Sequence, residues 1–406
     1  MGDVRLRGQR LPKRRDRLKG RVRGVFICIL ILVILCGAVV WLSKAIRTRA
    51  AEKIANQHSL GESLLADGKY EEASEVFAGL VRRARRSPYV EDALRKLGQI
   101  EEKAGEYGRA RPYWQRLEAE FADRPAVQEA RYHIGLCFEK EGGQRSMAEQ
   151  YYREAISSNP GGAYAVLAKC GLGRLTEADG NLEEARDLFK EAFEMAREGS
   201  PEGEEAVKLL GDANVRLIFS GRKTKDSELY TVRPGDTVSS IGAKFNTTQA
   251  LILMANGIES ASALRVNKTL KITRKEFNIV IRKSDFTLAL YDTAELFKVY
   301  PVGLGRPEHP TAPGRYEIES KIENPTWYSP SGKVIPPLSP ENELGTRWMG
   351  LKPIGPDLPH DLGIHATIEP SSVGWASSRG CPRMLQADAE ELFDLVTLGT
   401  PVTIVE

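Results

Sequence analysis

The pattern of apolar and polar positions changes character along the 406 residues. Val25 to Leu42 runs for eighteen residues without a charge. As a helix this run is about 27 Å long, close to the roughly 30 Å of a bilayer core. Residues 51–220 then read as helix throughout, with apolar side chains at helical spacing. A polar linker, 221–229, leads into a compact unit spanning 230–273. That unit opens on Tyr230-Thr-Val, continues with short helices over Val238–Phe245 and Thr248–Ala255, and closes with a strand within Leu264–Ile272. Beyond Phe277 the period changes to two: Asn278–Arg282, Phe286–Tyr291, Leu296–Gly303, Tyr316–Ile322 and Val402–Val405 alternate as strands, with a single helix over Ala387–Leu398. The expected architecture is therefore multidomain: a transmembrane helix, an all-α array, a small βααβ unit and a mostly-β C-terminal domain.

Charge sharpens the reading of the apolar run. Residues 1–23 hold ten Lys/Arg against two Asp, or +8, so the remainder of this +3 chain is −5. The folded part thus has no positive excess, which argues against nucleic acid as a partner. The basic block instead fits a cytoplasmic tail (1–24) before a membrane span (25–42), leaving the bulk of the chain outside the cytoplasm. The span exceeds the roughly 7–15 apolar residues of a cleavable signal peptide. Five cysteines are scattered without Cys-x-x-Cys or His-x-x-x-His spacing, so neither a structural zinc nor a disulfide framework is expected.

The helical region repeats. Gly68-Lys-Tyr-Glu-Glu-Ala73, Gly105-Glu-Tyr-Gly-Arg-Ala110, Gly143-Gln-Arg-Ser-Met-Ala148 and Gly180-Asn-Leu-Glu-Glu-Ala185 recur at intervals of 37, 38 and 37 residues. Each glycine suits a helix end, each alanine a close helix contact, and Pro88, Pro125 and Pro160 punctuate the second helices. This resembles an array of tetratricopeptide-type repeats. It implies a curved surface that either takes a protein partner or serves as a spacer.

The candidate chemistry lies between His365 and Met384. A free thiol is only about 3 % ionised near pH 7, given a pKa of roughly 8.5. A reacting cysteine therefore needs a base or cation beside it. Cys381 sits in Ser-Ser-Arg-Gly-Cys-Pro-Arg, a tight turn whose glycine lets backbone N–H groups converge, and His365 follows the apparent end of a strand. A nucleophile, a base and an oxyanion hole are the expected set. His360 is the alternative base, and His309 reads as surface.

The His-x-Thr … Ser-x-Gly-Cys-x-Arg-Met pattern resembles the L,D-transpeptidase (YkuD-type) catalytic domain over 277–406. Thr311-Ala-Pro-Gly, Asn324-Pro-Thr-Trp327, Ile335-Pro-Pro and Leu344-Gly-Thr-Arg-Trp-Met349 agree with it. Tyr-Thr-Val-x-x-Gly-Asp-Thr at 230–237 resembles a LysM domain, which implies binding to N-acetylglucosamine-containing glycan through Gly235, Asp236, Thr237, Asn256, Gly257 and Ile258. Asp236 and Gly257 suit a turn and a cap equally well.

The transpeptidase resemblance implies a mostly-β, sandwich-like domain without a cofactor. In it Cys381 attacks the carbonyl of the third residue of a peptidoglycan tetrapeptide stem, with His365 as general base and acid. The Ala366 carbonyl orients the base, and the amides of Arg379 and Gly380 form the oxyanion hole with that of Cys381. Arg383 either anchors a substrate carboxylate or braces the loop. Ser378 matches the family's Ser/Thr, and Trp327 and Trp348 line the donor cleft or belong to the core. An amine of a second stem then resolves the thioester into a cross-link. Water would give an L,D-carboxypeptidase and another amine the attachment of envelope proteins, while an inactive site would leave a peptidoglycan-binding scaffold. The chain departs from many members at Arg379 (His there), Ala366 (Gly) and Pro382 (Ile or Val). Arg379 carries no basic function at ordinary pH.

Overall fold

The computed structural model describes residues 14–84 and 87–406, with side chains from Leu30 onward except that of Val33. Residues 1–13 of the expected basic tail, and the side chains of 25–29 in the expected span, lie outside the described residues. The chain forms two compact units, one ending at Ala130 and one running from Arg131 to Glu406.

In the first unit, α1 (Arg14–Ala66) is one unbroken helix followed by α2 (Tyr70–Arg83), α3 (Tyr89–Lys103) and α4 (Tyr107–Glu120). The apolar run does not end the helix at Leu42, because Ala, Lys, Arg and Glu beyond it are good helix formers. Within α1 lies a segment long and apolar enough to cross a membrane, with Leu30, Leu35, Val39 and Trp41 all more than half exposed. The end of α1 packs on α2 through Gly61, where a Cβ would fall 2.6 Å from the Phe77 ring. Gly98 of α3 receives the fully buried Trp114 in the same way, at 2.4 Å, and the indole N–H donates to Glu102 at 2.8 Å.

The array continues through α5 (Ala126–Glu141), α6 (Arg145–Ser158), α7 (Ala163–Ala178), α8 (Leu182–Met195) and α9 (Pro201–Phe219). Tyr152 packs between Gly135 and Gly171, and Phe189 over Gly173. The aromatic positions Phe77, Trp114, Tyr152 and Phe189 therefore repeat at 37, 38 and 37 residues, in step with the turn glycines. Each pair brings a ring onto bare backbone, so Gly→Ala at Gly98 or Gly173 forces the helices apart.

The next module joins β1 (Ser227–Thr231) antiparallel to β2 (Thr269–Thr273), with α10 (Val238–Phe245) and α11 (Gln249–Ala255) between them. Its first strand starts inside the expected linker, because Ser227 to Leu229 pair with Lys271 to Thr273. The closing strand is shorter than expected, since residues 261–268 form a 3-10 turn and a loop. Thr237 caps α10 in a reciprocal box with Ser240, and Thr248 caps α11.

The C-terminal domain contributes β3 (Phe277–Arg282), β4 (Thr287–Asp292), β5 (Glu295–Pro301), β6 (Leu304–Gly305), β7 (Gly314–Glu323), β8 (Trp327–Tyr328), β9 (Val334–Ile335), β10 (Arg347–Pro353), β11 (Gly363–Ala366), β12 (Ala376–Ser378) and β13 (Arg383–Met384). The chain ends with α12 (Gln386–Leu395) and β14 (Pro401–Val405). Eight strands form one mixed sheet in the order β13-β11-β10-β7-β14-β3-β4-β5, within the mostly-β domain expected. The last strand slots into the middle because Val402 and Ile404 are apolar and buried, parallel to β3 and antiparallel to β7. The helix α12 packs on β10 and β11. Lys321 closes its C-terminus, donating to the carbonyls of Phe393 and Val396 at 2.6 Å each.

The array, the small module and the sheet interlock. Asn214 of α9 donates to Phe297 O of β5 at 2.9 Å, and Lys298 bridges Asp212 and Glu391. Lys271 of β2, 4 % exposed, donates to Leu217 O and Ser220 O at the end of α9. Its burial depresses the ammonium pKa.

Candidate active site

Three segments build the site. His365 comes from β11, held between β10 and β13, where it pairs with Trp348 on one side and Arg383 on the other. The Trp348 and His365 rings stack at 5.8 Å and 26°. That packing needs Gly363, because a Cβ there would lie 2.4 Å from the indole. His365 is buried and its Nδ1 lies 2.6 Å from Ala366 O, so the proton resides on Nδ1 and Nε2 is left as the acceptor. Burial pushes its pKa down to about 4, aided by the Arg383 cation and opposed by the Ala366 bond.

Cys381 stands just before β13, half-buried against the sheet core. The thiol points to Asp361 O at 3.8 Å. Burial raises its pKa, with the Asp361 charge adding to the rise, while the Gly363 amide and Arg383 act in the opposite sense. At neutral pH both partners are therefore uncharged. His360 and His309 are exposed, the latter in the loop after β6.

The turn carrying the thiol is fixed from below. Gly380 has φ +121°, which L side chains rarely adopt. Its carbonyl accepts from Thr311 Oγ1 at 2.7 Å, and the same hydroxyl accepts from Gly305 N at 2.9 Å. Thr311 is fully buried. Nothing local in the sequence joins it to Gly380, 69 residues downstream; the only signal was its place in the Thr-Ala-Pro-Gly segment. Thr311→Val keeps the shape and orphans two backbone groups, so the thermal midpoint is expected to fall, by about 2 kcal/mol of stability. Reaction of the Cys381 thiol with an acylating probe should slow about tenfold or more, with Thr311→Ser restoring both.

Several expected roles change on inspection of the contacts. The Gly380 amide donates to Ser378 Oγ at 3.1 Å, so it is not a free oxyanion donor; those of Arg379 and Cys381 have no acceptor among the described residues. Ser378 is a buried turn anchor. Arg383 is 9 % exposed and pairs with Glu343 at 3.2 Å and Glu369 at 3.8 Å, while its buried Nε has no hydrogen-bond partner among the described residues. Trp348 belongs to the site through its stack on His365, whereas Trp327 lines a separate cavity beside Arg379.

In the 230–273 module most of the expected sugar-contacting side chains are engaged internally. Asp236 accepts from Tyr230 Oη and Arg233 N, which holds its carboxyl below the usual range. Thr237 caps α10, Asn256 bonds both backbone groups of Lys271, and Ile258 is buried in the module core. Gly235 and Gly257 both sit at positive φ, and the Gly257 amide donates to Met254 O at 3.2 Å. In the first unit His58, Glu62 and Asp92 bring their ligand atoms within 4.8 Å of one another. Arg95 and Lys96 pair with those carboxylates, which makes the group an ion-pair network rather than an open metal site.

Comparison with known proteins follows the same divisions. The L,D-transpeptidase catalytic domain (YkuD) family matches residues 276–404, the LysM domain 230–273, and tetratricopeptide repeats 58–117, 95–163 and 168–199. A Bacillus licheniformis protein described as an L,D-transpeptidase, YkuD, is 31% identical over 43% of this chain and 98% of its own length. The Bacillus subtilis protein described as L,D-transpeptidase YqjB is 34% identical over 32% of this chain and 70% of its own. Among solved structures, L,D-transpeptidase 3 from Mycobacterium tuberculosis aligns at 19% identity and a TM-score of 0.27, over 34% of this chain and 66% of that one.

Proposed function

The chain belongs to the YkuD family of L,D-transpeptidases, and from that premise we propose that it cross-links peptidoglycan stems through a thioester on Cys381. His365 Nε2 takes the thiol proton as Sγ attacks the carbonyl carbon of the donor's third residue. The C–S bond forms, the C–N bond to the terminal D-alanine breaks, and the imidazolium returns its proton to the leaving amine. A side-chain amine of a second stem then attacks the thioester, giving the new amide and restoring the thiol, with His365 carrying the proton in reverse. The Ala366 carbonyl orients the base. The amides of Arg379 and Cys381 hold the oxyanion, and each such donor is typically worth about 2.7–4 kcal/mol.

The observation that carries this reading is the His365 Nδ1 bond to Ala366 O, beside a strand pairing that puts Arg383, two residues after the thiol, level with His365. The LysM module binds the glycan strand, α1 anchors the chain in the inner membrane with its N-terminus cytoplasmic, and the repeats offer a surface to a protein partner. The interlocked second unit fixes the glycan-binding module relative to the thiol. Mass analysis of products from one purified tetrapeptide muropeptide tests the reaction. A dimer lacking one D-alanine is expected; a tripeptide monomer alone would show that water resolves the thioester, and unchanged substrate would overturn the proposal.

A further inference from the structure

A cavity of about 450 Å³ opens at the seam between the LysM module and the catalytic domain, where Thr248 donates to Asp394 O of α12. Buried Leu251, Phe277 and Leu395 form its apolar floor, with Thr273 among them. Asn246, Thr293 and Leu398 stand exposed at its rim. Thr273 is the exception in this wall. It is 7 % exposed, and its buried hydroxyl has no hydrogen-bond partner among the described residues. Thr400, buried in the same wall, is satisfied by both backbone groups of Thr397. Leu270 and Ile272 face the module's own core, so strand alternation turns Thr273 the other way, with Lys271, toward the seam. A polar atom buried without a partner is uncommon in a folded protein and points to a group that the cavity takes up. That group is not an anion. Lys275, the one cation in the lining, is already held by Asp226 at 2.9 Å and Asp292 at 2.7 Å.

We infer that this seam binds a neutral sugar bearing an acetamido group. The acetamido methyl seats against Leu251, Phe277 and Leu395, and the amide beside it pairs with the Thr273 hydroxyl, which both donates and accepts. Ring hydroxyls then meet Asn246 and Thr293 at the rim. A plain hexose instead buries a hydroxyl against the apolar floor, which is costly. The size and the mix of apolar wall with a few polar groups suit a small-molecule site. This is not the place that the module's motif implies. Gly235 and Thr237 precede α10 and Gly257 follows α11, whereas Asn246 and Thr247 lie between the two helices. Thr273 pairs with Ser227, at the end of the ladder away from Thr231. Half of the wall comes from the catalytic domain, through Phe277 and Leu395, so the module alone does not contain the site. The inference extends the glycan reading above to a second place and rests on it only for the source of the sugar.

Photolabelling of the full chain in detergent tests this, with chitotriose carrying a diazirine at its reducing end and adducts mapped by mass spectrometry. Adducts are expected within 246–248 and 395–401. Unlabelled chitotriose should suppress them, and maltotriose, which lacks acetamido groups, should not. Thr273→Val keeps the shape and removes the hydroxyl, so it should cut labelling at the seam about tenfold while the thermal midpoint holds or rises. Thr273→Ser should restore the labelling. A hydroxyl with a purely structural role predicts no change in either variant. Labelling indifferent to Thr273→Val, or suppressed equally by maltotriose, overturns the inference and leaves that hydroxyl to an ordered water. Adducts confined to the loops around Gly235 and Gly257 overturn it while the LysM reading stands. Adducts at the seam alone support it and remove the sugar from those loops.

Discussion

Cys381→Ala is expected to abolish D-alanine release and dimer formation, by at least about 10⁴-fold, because no other group near the turn can form the acyl bond. Ser377 and Ser378 do not substitute. The first donates to Ser372 O at 3.1 Å and the second is buried as the anchor of Gly380. The change removes one sulfur from a half-buried position, so the sheet order and midpoint should be retained. Intact-protein mass gives an independent readout. The Cys381 enzyme mixed with a tetrapeptide and no acceptor should gain the mass of the stem less D-alanine, and hydroxylamine should remove it. The alanine variant should show no such adduct. Turnover that survives the substitution would mean that another group carries the acyl chain.

What the sequence disclosed and what it hid divide along physical lines. Short-range signals were legible: the helix α10 occupies the residues its pattern marks out, because Thr237 and Asn246 cap it locally. The repeat was legible from the turn glycines, yet the second register went unnoticed, since a glycine in mid-helix gives no sign of the ring that fills it until Phe77 or Trp114 is placed in three dimensions. At the site, Cys381 and His365 stood out because their neighbours form recognisable motifs. Thr311, Gly363 and Glu343 did not, since their roles arise from contacts between strands distant in sequence. The Gly380 amide, expected in the oxyanion hole, is engaged locally: Ser378 Oγ two residues earlier accepts from the same N–H. Asn256 and Asp236 illustrate the same competition in the LysM module, where polar side chains in turns were needed first by the backbone.

His365→Gln should slow acylation by about 10²–10⁴-fold, and its pH dependence separates a base from a structural residue. In the parent, burial keeps the imidazole neutral down to about pH 4, so kcat/KM should not fall near 6.5, where an ordinary histidine protonates. Its acid limb should lie near pH 4. The thiol at rest is also protonated, its pKa raised by burial, so the parent does not depend on a preformed thiolate. Glutamine leaves the thiol without a base. The residual rate should then climb about tenfold per pH unit through the neutral range, tracking spontaneous thiol ionisation. Linkage gives a second check with a defined sign. With a folded pKa of about 4 against 6.5 unfolded, the unfolded chain takes the proton first as pH falls. The parent therefore has this stability in full above pH 6.5 and loses it as pH drops toward 4, whereas the glutamine variant lacks that slope. A parent profile breaking near 6.5, or a variant whose residual rate is flat with pH, would remove His365 from the proton path even if the variant were slow.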